Sequence, residues 1–567
     1  MTHRFHRTLV ALSLLGVSAS TGAQSSAQSS TAARMQQAQR ALATQDFATA
    51  TTILREVVAS EPANARAWNT LGVALRRGGN WTEAIPAHRR AAETPAVRPL
   101  ALYQLGLTFA AGKQLDSAFY WLVEAKRTGR MNMVTIVQDP LFATLQADAR
   151  FASLMPSPEE LRDPFVEPTK IIHEWHGEAT GDQFGWVARN IGDVDGDRVA
   201  DVVTSAPTNA DGGQRAGKIY VYSGRTGKAL WTAKGEPNAQ LGLGIEAAGD
   251  FNADGVPDVA AGAPSIDKAY VYSGRTGAVL RVFEGERQGD AFGRNVGAAG
   301  DVNRDGFGDL LVGAPAHNAA GAGAGRVYVF SGKDGSRLFV ADGEAAGDAL
   351  GSALAGKTVN GQSWIVAGAG SGGRNDAGRV YVYKGLDPTP AFHIDPDSTS
   401  AGLGGMFVSM IGDVNADGVP DAYGADFGNN AKGASTGRIF IHSGKDGRHL
   451  LTLTGENAGD GFGIGPADAG DVDRDGHDDI ILGAWQFSGA APSGGKVYLY
   501  SGKTGALIRA WTGKVQGETF GFDATGIGDV DGDGTLDFLL TSAWSAIKGP
   551  QSGRMYILSG AASGPRR

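Results

Sequence analysis

The sequence predicts a multidomain α + all-β chain, with a short helical-repeat domain followed by a seven-bladed β-propeller. Three observations predict it. Residues 31–155 are Ala-rich and Gly-poor, and they repeat with a spacing of 34 residues. Residues 170–560 carry a Gly-rich block of short alternating strands that recurs every fifty-odd residues. Inside that block an acidic nonapeptide returns six times.

The helical part comes first. Phe47, Trp81 and Leu115 are 34 apart, as are Ala50, Ala84 and Ala118, and Gly72 and Gly106 share the spacing. A period of 34 fits a helix–turn–helix unit. The small Ala lets two helices approach, and the large residue three places earlier fills the crevice beside it. Trp68, Leu71, Gly72 and Leu75, and more loosely Tyr103, Leu105 and Gly106, resemble the first-helix motif of tetratricopeptide repeats over residues 33–132. The resemblance implies a concave groove for a peptide or protein segment. Residues 139–154 read as a capping helical segment. Residues 156–169, with four prolines, read as a linker.

Residues 281–340 show the second repeat most plainly. The strands are "FGRNVGAAG", "DLLVGAP", "RVYVFSG" and "RLFVADG", with "SGKDG" as a tight turn. Four strands per unit is a propeller-blade pattern. The acidic loops start at Asp193, Asp250, Asp301, Asp413, Asp471 and Asp529, at intervals of 57, 51, 112, 58 and 58. The interval of 112 is two blades. The missing loop belongs to "GKTVNGQSWIVAGAG" (356–370), which makes seven blades, six of them with a loop. The final strand "MYILSG" (555–560) has no partner after it, and "KIIHEWHG" (170–177) precedes the first blade unclaimed. Their pairing would close the ring and remove an open edge.

The loops place oxygen side chains at positions 1, 3, 5 and 9. These are Asp193, Asp195, Asp197 and Asp201; Asp250, Asn252, Asp254 and Asp258; Asp301, Asn303, Asp305 and Asp309; Asp413, Asn415, Asp417 and Asp421; Asp471, Asp473, Asp475 and Asp479; and Asp529, Asp531, Asp533 and Asp537. Three or four carboxylates this close repel one another unless a cation lies among them. A backbone carbonyl at position 7 would complete a shell of oxygens, which suits Ca2+ better than the stricter Mg2+. The loops hold no Cys and no regular His, which disfavours zinc and copper. An EF-hand closes with Glu at position 12 between helices, whereas these loops close with Asp at position 9 between strands. Up to six Ca2+ ions are expected, and they would take the formal charge from -9 to +3. Position 6 is Gly except for Arg198 in the first loop, where a left-handed backbone would be awkward.

Phe184-Gly185, Phe292-Gly293, Phe462-Gly463 and Phe520-Gly521, with Gly262-Ala263-Pro264 and Gly313-Ala314-Pro315, resemble FG-GAP repeats. Such repeats form the seven-bladed propeller of integrin alpha chains. The resemblance covers residues 170–560. It implies ions in blade-edge loops that brace the fold, partners on another face, and binding of proteins or glycans rather than catalysis. Departures are Leu241 and Leu350 for Phe, Gly404-Gly405 in the fifth blade, and Trp485 and Trp544 for Pro.

An enzyme would need acids that occur once. Glu178, Glu236, Glu286, Glu344 and Glu456 recur in one "GE" context, and Ser223, Ser273, Ser331, Ser443 and Ser501 in one "SG" turn, so both sets read as architecture. No catalytic residue is assigned. His477 reads as a surface residue. Trp186, Trp364, Trp485 and Trp544 depart from the repeat and could stack on sugars or simply pack. The expected function is therefore an exported, calcium-binding, non-enzymatic interaction scaffold with a protein or peptide partner. A carbohydrate-binding or polysaccharide-degrading propeller is the alternative. A net charge of -9 argues against nucleic acid. Arg4, Arg7, "TLVALSLLGV" and Thr21-Gly22-Ala23 read as a signal peptide, 1–23, for export to the periplasm or beyond. No later stretch is long and apolar enough to span a bilayer, and zero Cys leaves no disulfide to brace the fold.

Overall fold

The computed structural model describes residues 26–561, so the expected signal peptide lies outside the described residues. The described chain forms two compact units, divided in sequence between residues 162 and 163.

In the first unit the 34-residue period becomes three helix pairs. They are α1 (Ser26–Ala43) with α2 (Phe47–Ser60), α3 (Ala65–Arg77) with α4 (Trp81–Ala92), and α5 (Arg98–Ala111) with α6 (Leu115–Arg127). Phe47, Trp81 and Leu115 open the second helix of each pair. Ala50, Ala84 and Ala118, one turn on, are fully buried where the helices press together. Asp46 and Asn64 cap α2 and α3 by accepting from the amides of Thr49 and Ala67. Residues 139–154 do not continue as one capping helix. They break into a five-residue helix, Phe142–Gln146, and a 3-10 segment, Ala149–Leu154.

His88 of α4 is fully buried against Gly72, with Nδ1 3.1 Å from the Asn69 Oδ1. Burial, reinforced by the Arg76 charge, pushes its pKa down to about 3. The unfolded chain takes up this proton near pH 6.5, whereas the folded chain refuses it until about pH 3. The contribution of this neutral imidazole to stability is therefore fully present above pH 6.5 and is lost progressively as pH falls toward 3. The slope approaches about 1.4 kcal/mol per pH unit. Denaturant melts at pH 7 and pH 4.5 should differ by about 2–3 kcal/mol in this unit. His88→Gln should abolish most of that difference; an unchanged slope would refute the assignment.

The second unit holds seven four-stranded antiparallel sheets among the described residues. Blade 1 runs Ala188–Gly192, Asp201–Ala206, Lys218–Tyr222 and Ala229–Lys234. The first strands of neighbouring blades touch all the way round, blade 7 against blade 1, so they form the inner ring. Second strands are buried on both faces in blades 1, 2, 3, 5, 6 and 7, because another blade covers each side. This explains their continuous apolar runs. Blade 7 is completed by the chain start. Ile171–His176 pairs with Arg554–Leu558, with Glu174 opposite Tyr556 and Trp175 opposite Met555.

The FG and GAP elements make one contact. The FG-position side chain is buried in every blade, as Phe184, Phe292, Phe462 and Phe520 or, where Phe is absent, as Leu241, Leu350 and Leu403. The fifth-blade residue is thus Leu403, one place before the Gly404-Gly405 pair. It bridges Gly378 of blade 4 as Phe184 bridges Gly553 and Phe520 bridges Gly495. The next residue is a Gly with positive φ, and in blades 3, 4, 5 and 7 its carbonyl faces the GAP-position glycine of the preceding blade. A Cβ on Gly262 would lie 1.8 Å from the Gly293 oxygen, and one on Gly483 1.8 Å from that of Gly521. Only Gly permits this approach.

The stretch expected to be a linker, 156–169, is structured instead. Pro158–Arg162 is a short helix. Residues 163–169 add to the edge of blade 6: the Val166 amide donates to the Thr512 carbonyl, the Lys514 amide donates to Pro164, and Glu167 accepts from Thr512. Phe165 is 1% exposed and packs on Phe520 and Tyr556. Its four prolines suggested a spacer, but they also suit an edge strap that donates few amides.

Candidate metal centres

Each acidic loop links the first strand of its blade to the second. All six share one hydrogen-bond scheme. The position-1 carboxylate accepts from the amides of positions 5 and 6. In the third loop these are Asp305 to Asp301 at 2.9 Å and Gly306 to Asp301 at 2.9 Å. In the first loop they are Asp197 at 3.1 Å and Arg198 at 2.8 Å, both to Asp193. The position-9 carboxylate is fully buried in every loop. One of its oxygens accepts from the position-2 amide, and the other accepts from the glycine of the "SG" turn. Asp309 takes Val302 at 2.8 Å and Gly332 at 3.1 Å. Asp537 takes Val530 at 2.8 Å and Gly560 at 3.1 Å. The "SG" motif was legible as a turn; its role as the anchor of the loop's last carboxylate was not.

The loop wraps tightly because positions 4 and 6 both take left-handed backbone. Position 6 is Gly255, Gly306, Gly418, Gly476 or Gly534, with φ between 82° and 89°. Arg198 adopts φ 70° there, the awkward conformation expected of it. Position 4 follows the same rule with Gly196, Ala253, Arg304, Ala416, Arg474 and Gly532. Sequence reading missed this position because its residue types vary.

The carboxylates converge. Oxygens of Asp193, Asp195 and Asp197 lie within 4.8 Å of one another, as do those of Asp471, Asp473 and Asp479, and of Asp529, Asp531 and Asp537. In blades 2, 3 and 5 position 3 is Asn. The Asn252 and Asn303 amides donate to Asp254 and Asp305. Burial first, and neighbouring carboxylates second, push Asp201, Asp258 and Asp309 up to about 6 and Asp421 to about 7. Asp479 and Asp537 move in the same direction. The Asn415 Oδ1 is buried and accepts from nothing. An oxygen-only donor set, crowded carboxylates and an orphaned amide oxygen all fit a hard divalent cation.

Blade 4 departs for a visible reason. Its first two strands, Leu350–Val359 and Gln362–Ala369, join through a tight turn. Trp364 pairs with Lys357 in the register where Asp201 pairs with Gly192. A buried indole, with Lys384 Nζ 5.0 Å over its ring, replaces the buried carboxylate. Lys357 extends to Asp468 of blade 6 at 2.9 Å.

The recurring glutamates are tied up. Each blade pairs an acid with the base that opens its third strand. Glu178 meets Lys218 at 2.8 Å, Glu236 meets Lys268 at 3.0 Å, Glu286 meets Arg326 at 3.0 Å and Glu344 meets Arg379 at 3.3 Å. Asp397 meets Arg438 at 2.6 Å and Glu456 meets Lys496 at 2.5 Å. Arg554 of blade 7 lies between Glu174 and Glu518. His477 is half-buried, not free at the surface. Its Nδ1 lies 2.8 Å from the Val414 carbonyl of the neighbouring loop. Trp364 and Trp485 are core residues, whereas Trp186 and Trp544 are half-buried beside Phe522 and Phe407.

Comparison with known proteins agrees with this geometry. Residues 184–222, 245–280 and 292–330 match the FG-GAP repeat model. Residues 35–98 match a tetratricopeptide repeat model. The chain is 32% identical over 187 residues to integrin alpha-PS5 of Drosophila melanogaster, covering 30% of this chain and 18% of that protein. It is 30% identical over 157 residues to integrin alpha-6 of Gallus gallus, covering 25% and 14%. It is 29% identical over 181 residues to integrin alpha-5 of Xenopus laevis, covering 29% and 17%. The chain thus spans less than a fifth of the length of these relatives. With all seven blades present, the chain carries integrin-alpha-like FG-GAP repeats in a seven-bladed propeller, preceded by tetratricopeptide helical repeats.

Proposed function

We propose that this protein is an exported, non-enzymatic interaction scaffold of adaptor or adhesion type, and that calcium braces its propeller. The observation that carries the reading is the sixfold identity of the loop scaffold. Such repetition serves architecture, since one active site needs one set of groups. The paired glutamates support the same view, because each candidate acid is already committed to a base. Calcium, rather than another cation, follows from all-oxygen donors in a loop without rigid octahedral demand. Two repeat scaffolds on one chain suit binding of protein or peptide partners. The N-terminal segment carries the export half of the reading, with the periplasm or the medium as destination. No helix among the described residues is long and apolar enough to cross a membrane.

The binding role is tested by using the protein as bait for envelope and medium extracts, with calcium and with chelator. A calcium-dependent protein partner at near-equal stoichiometry supports it. Retention of polysaccharide alone favours the second reading, a glycan-binding propeller, whose structural support is the half-buried Trp186 and Trp544. The metal role is tested locally by Asp305→Ala, which should lower bound calcium by one ion per chain. Unchanged stoichiometry in metal analysis would remove the third loop as a site.

A further inference from the structure

The six loops fall into two electrostatic classes, and the difference between them is compensated. Blades 1, 6 and 7 have Asp at position 3 and hold four carboxylates each at positions 1, 3, 5 and 9; blades 2, 3 and 5 have Asn at position 3 and hold three there. Each four-carboxylate loop carries one basic side chain paired to a loop carboxylate. Arg225 Nε lies 3.2 Å from Asp197, Lys503 Nζ 3.8 Å from Asp475, and Lys170 Nζ 2.5 Å from Asp531. Among the described residues, no carboxylate of the three-carboxylate loops has an ion-pair partner. The absence is not one of supply. Arg275, Lys333 and Lys445 occupy the same turn position as Arg225 and Lys503. Lys333 instead lies 5.7 Å over the Phe307 ring.

Blade 7 makes the compensation clearest. Its last strand is followed by Ser559-Gly560-Ala561, with Ala561 in the place of Arg225 and Lys503. The base comes from the other end of the ring, from Lys170 just ahead of the closing strand Ile171–His176. Two different chain segments thus supply one positive charge to the same kind of loop. Counted over the carboxylates at positions 1, 3, 5 and 9 and the bases paired to them, each loop carries three net negative charges, either from four carboxylates and a base or from three carboxylates alone.

We propose that Arg225, Lys503 and Lys170 are affinity-setting residues, which offset the fourth carboxylate so that all six loops bind a divalent cation with similar strength. The proposal rests on the calcium reading above. The three bases are about half exposed, at 53%, 48% and 56%. Each therefore acts through a screened field rather than as a buried counter-ion. Removing a unit charge paired to a loop carboxylate at the surface should strengthen divalent-cation binding about 3- to 10-fold at low salt, and less at high salt.

The test is a calcium isotherm on the whole decalcified protein, by competition with a chromophoric chelator at low ionic strength. Arg225→Gln should tighten one site of six by about 3- to 10-fold, and Arg225→Lys should restore the original isotherm. Asn303→Asp adds a fourth carboxylate without a base and should also tighten one site. Arg275→Gln should change nothing, because Arg275 pairs with no loop carboxylate. Wild-type binding with an Arg225→Gln isotherm unchanged, or shifted no more than that of Arg275→Gln, would overturn the proposal while leaving the calcium sites intact. A wild-type protein that binds no calcium would overturn the reading beneath it.

Discussion

Calcium should raise the melting temperature of the propeller steeply, and chelation should lower it. Each site held at about 100 times its dissociation constant adds about 2.7 kcal/mol. Six independent sites add roughly 16 kcal/mol. A unit of about 400 residues changes entropy by about 0.8 kcal/mol/K on unfolding, so the shift is on the order of 15–20 °C. The helical unit has no such loops, and its transition should stay where it is. Calorimetry with and without chelator checks both statements at once. A propeller transition indifferent to calcium would mean that the buried position-9 carboxylates are satisfied by their amide partners alone.

The second large effect is expected at the seam. The ring closes where the strand Ile171–His176 meets Arg554–Leu558, and Arg554 is buried there to 1% exposure. Its guanidinium lies 2.9 Å from Glu174 and 3.5 Å from Glu518. Glu518 is fully buried and also accepts from the Tyr556 hydroxyl at 3.0 Å and the Ser545 hydroxyl at 2.9 Å. Burial pushes the Glu518 carboxyl up, and the Arg554 charge opposes that rise. Arg554→Ala would strand a buried acid. Breaking such a group costs about 3–5 kcal/mol, which is about 4–6 °C on the propeller transition. Residues 171–176 should then become more open to proteolysis, since they close the ring. Pairing Arg554→Met with Glu518→Gln should recover much of the loss, because no buried charge is left alone. A melt of Arg554→Ala equal to wild type would show that the backbone ladder holds the seam without the ion triad.

These effects depend on features that differed in how readily they could be read from sequence. The blade count, the loopless fourth blade and the closing strand were legible, because each is a matter of period. A missing loop leaves an interval of 112 between Asp301 and Asp413, and a circular sheet needs one strand from the far end. The six recurring acidic loops were legible for the same reason. What period cannot show is how one blade touches the next. The FG glycine facing the GAP glycine of the preceding blade is a contact between different repeats, and so is Leu403 in the place of Phe. Phe165 was read as part of a linker because four prolines outweighed one buried aromatic, yet the same prolines suit an edge strap. Trp364 drew attention as a possible sugar platform. Its register opposite Lys357 shows that it fills the space of a missing carboxylate.

The central claim, that the loops are calcium sites that brace the ring, is tested most directly by counting. The protein is equilibrated with calcium, freed of excess by dialysis against a defined low concentration, and assayed for calcium per chain by atomic absorption. The account predicts six ions per chain, with none owed to the fourth blade. A count of zero would contradict it, because six identically folded carboxylate loops would then be hydrogen-bonded turns and nothing more.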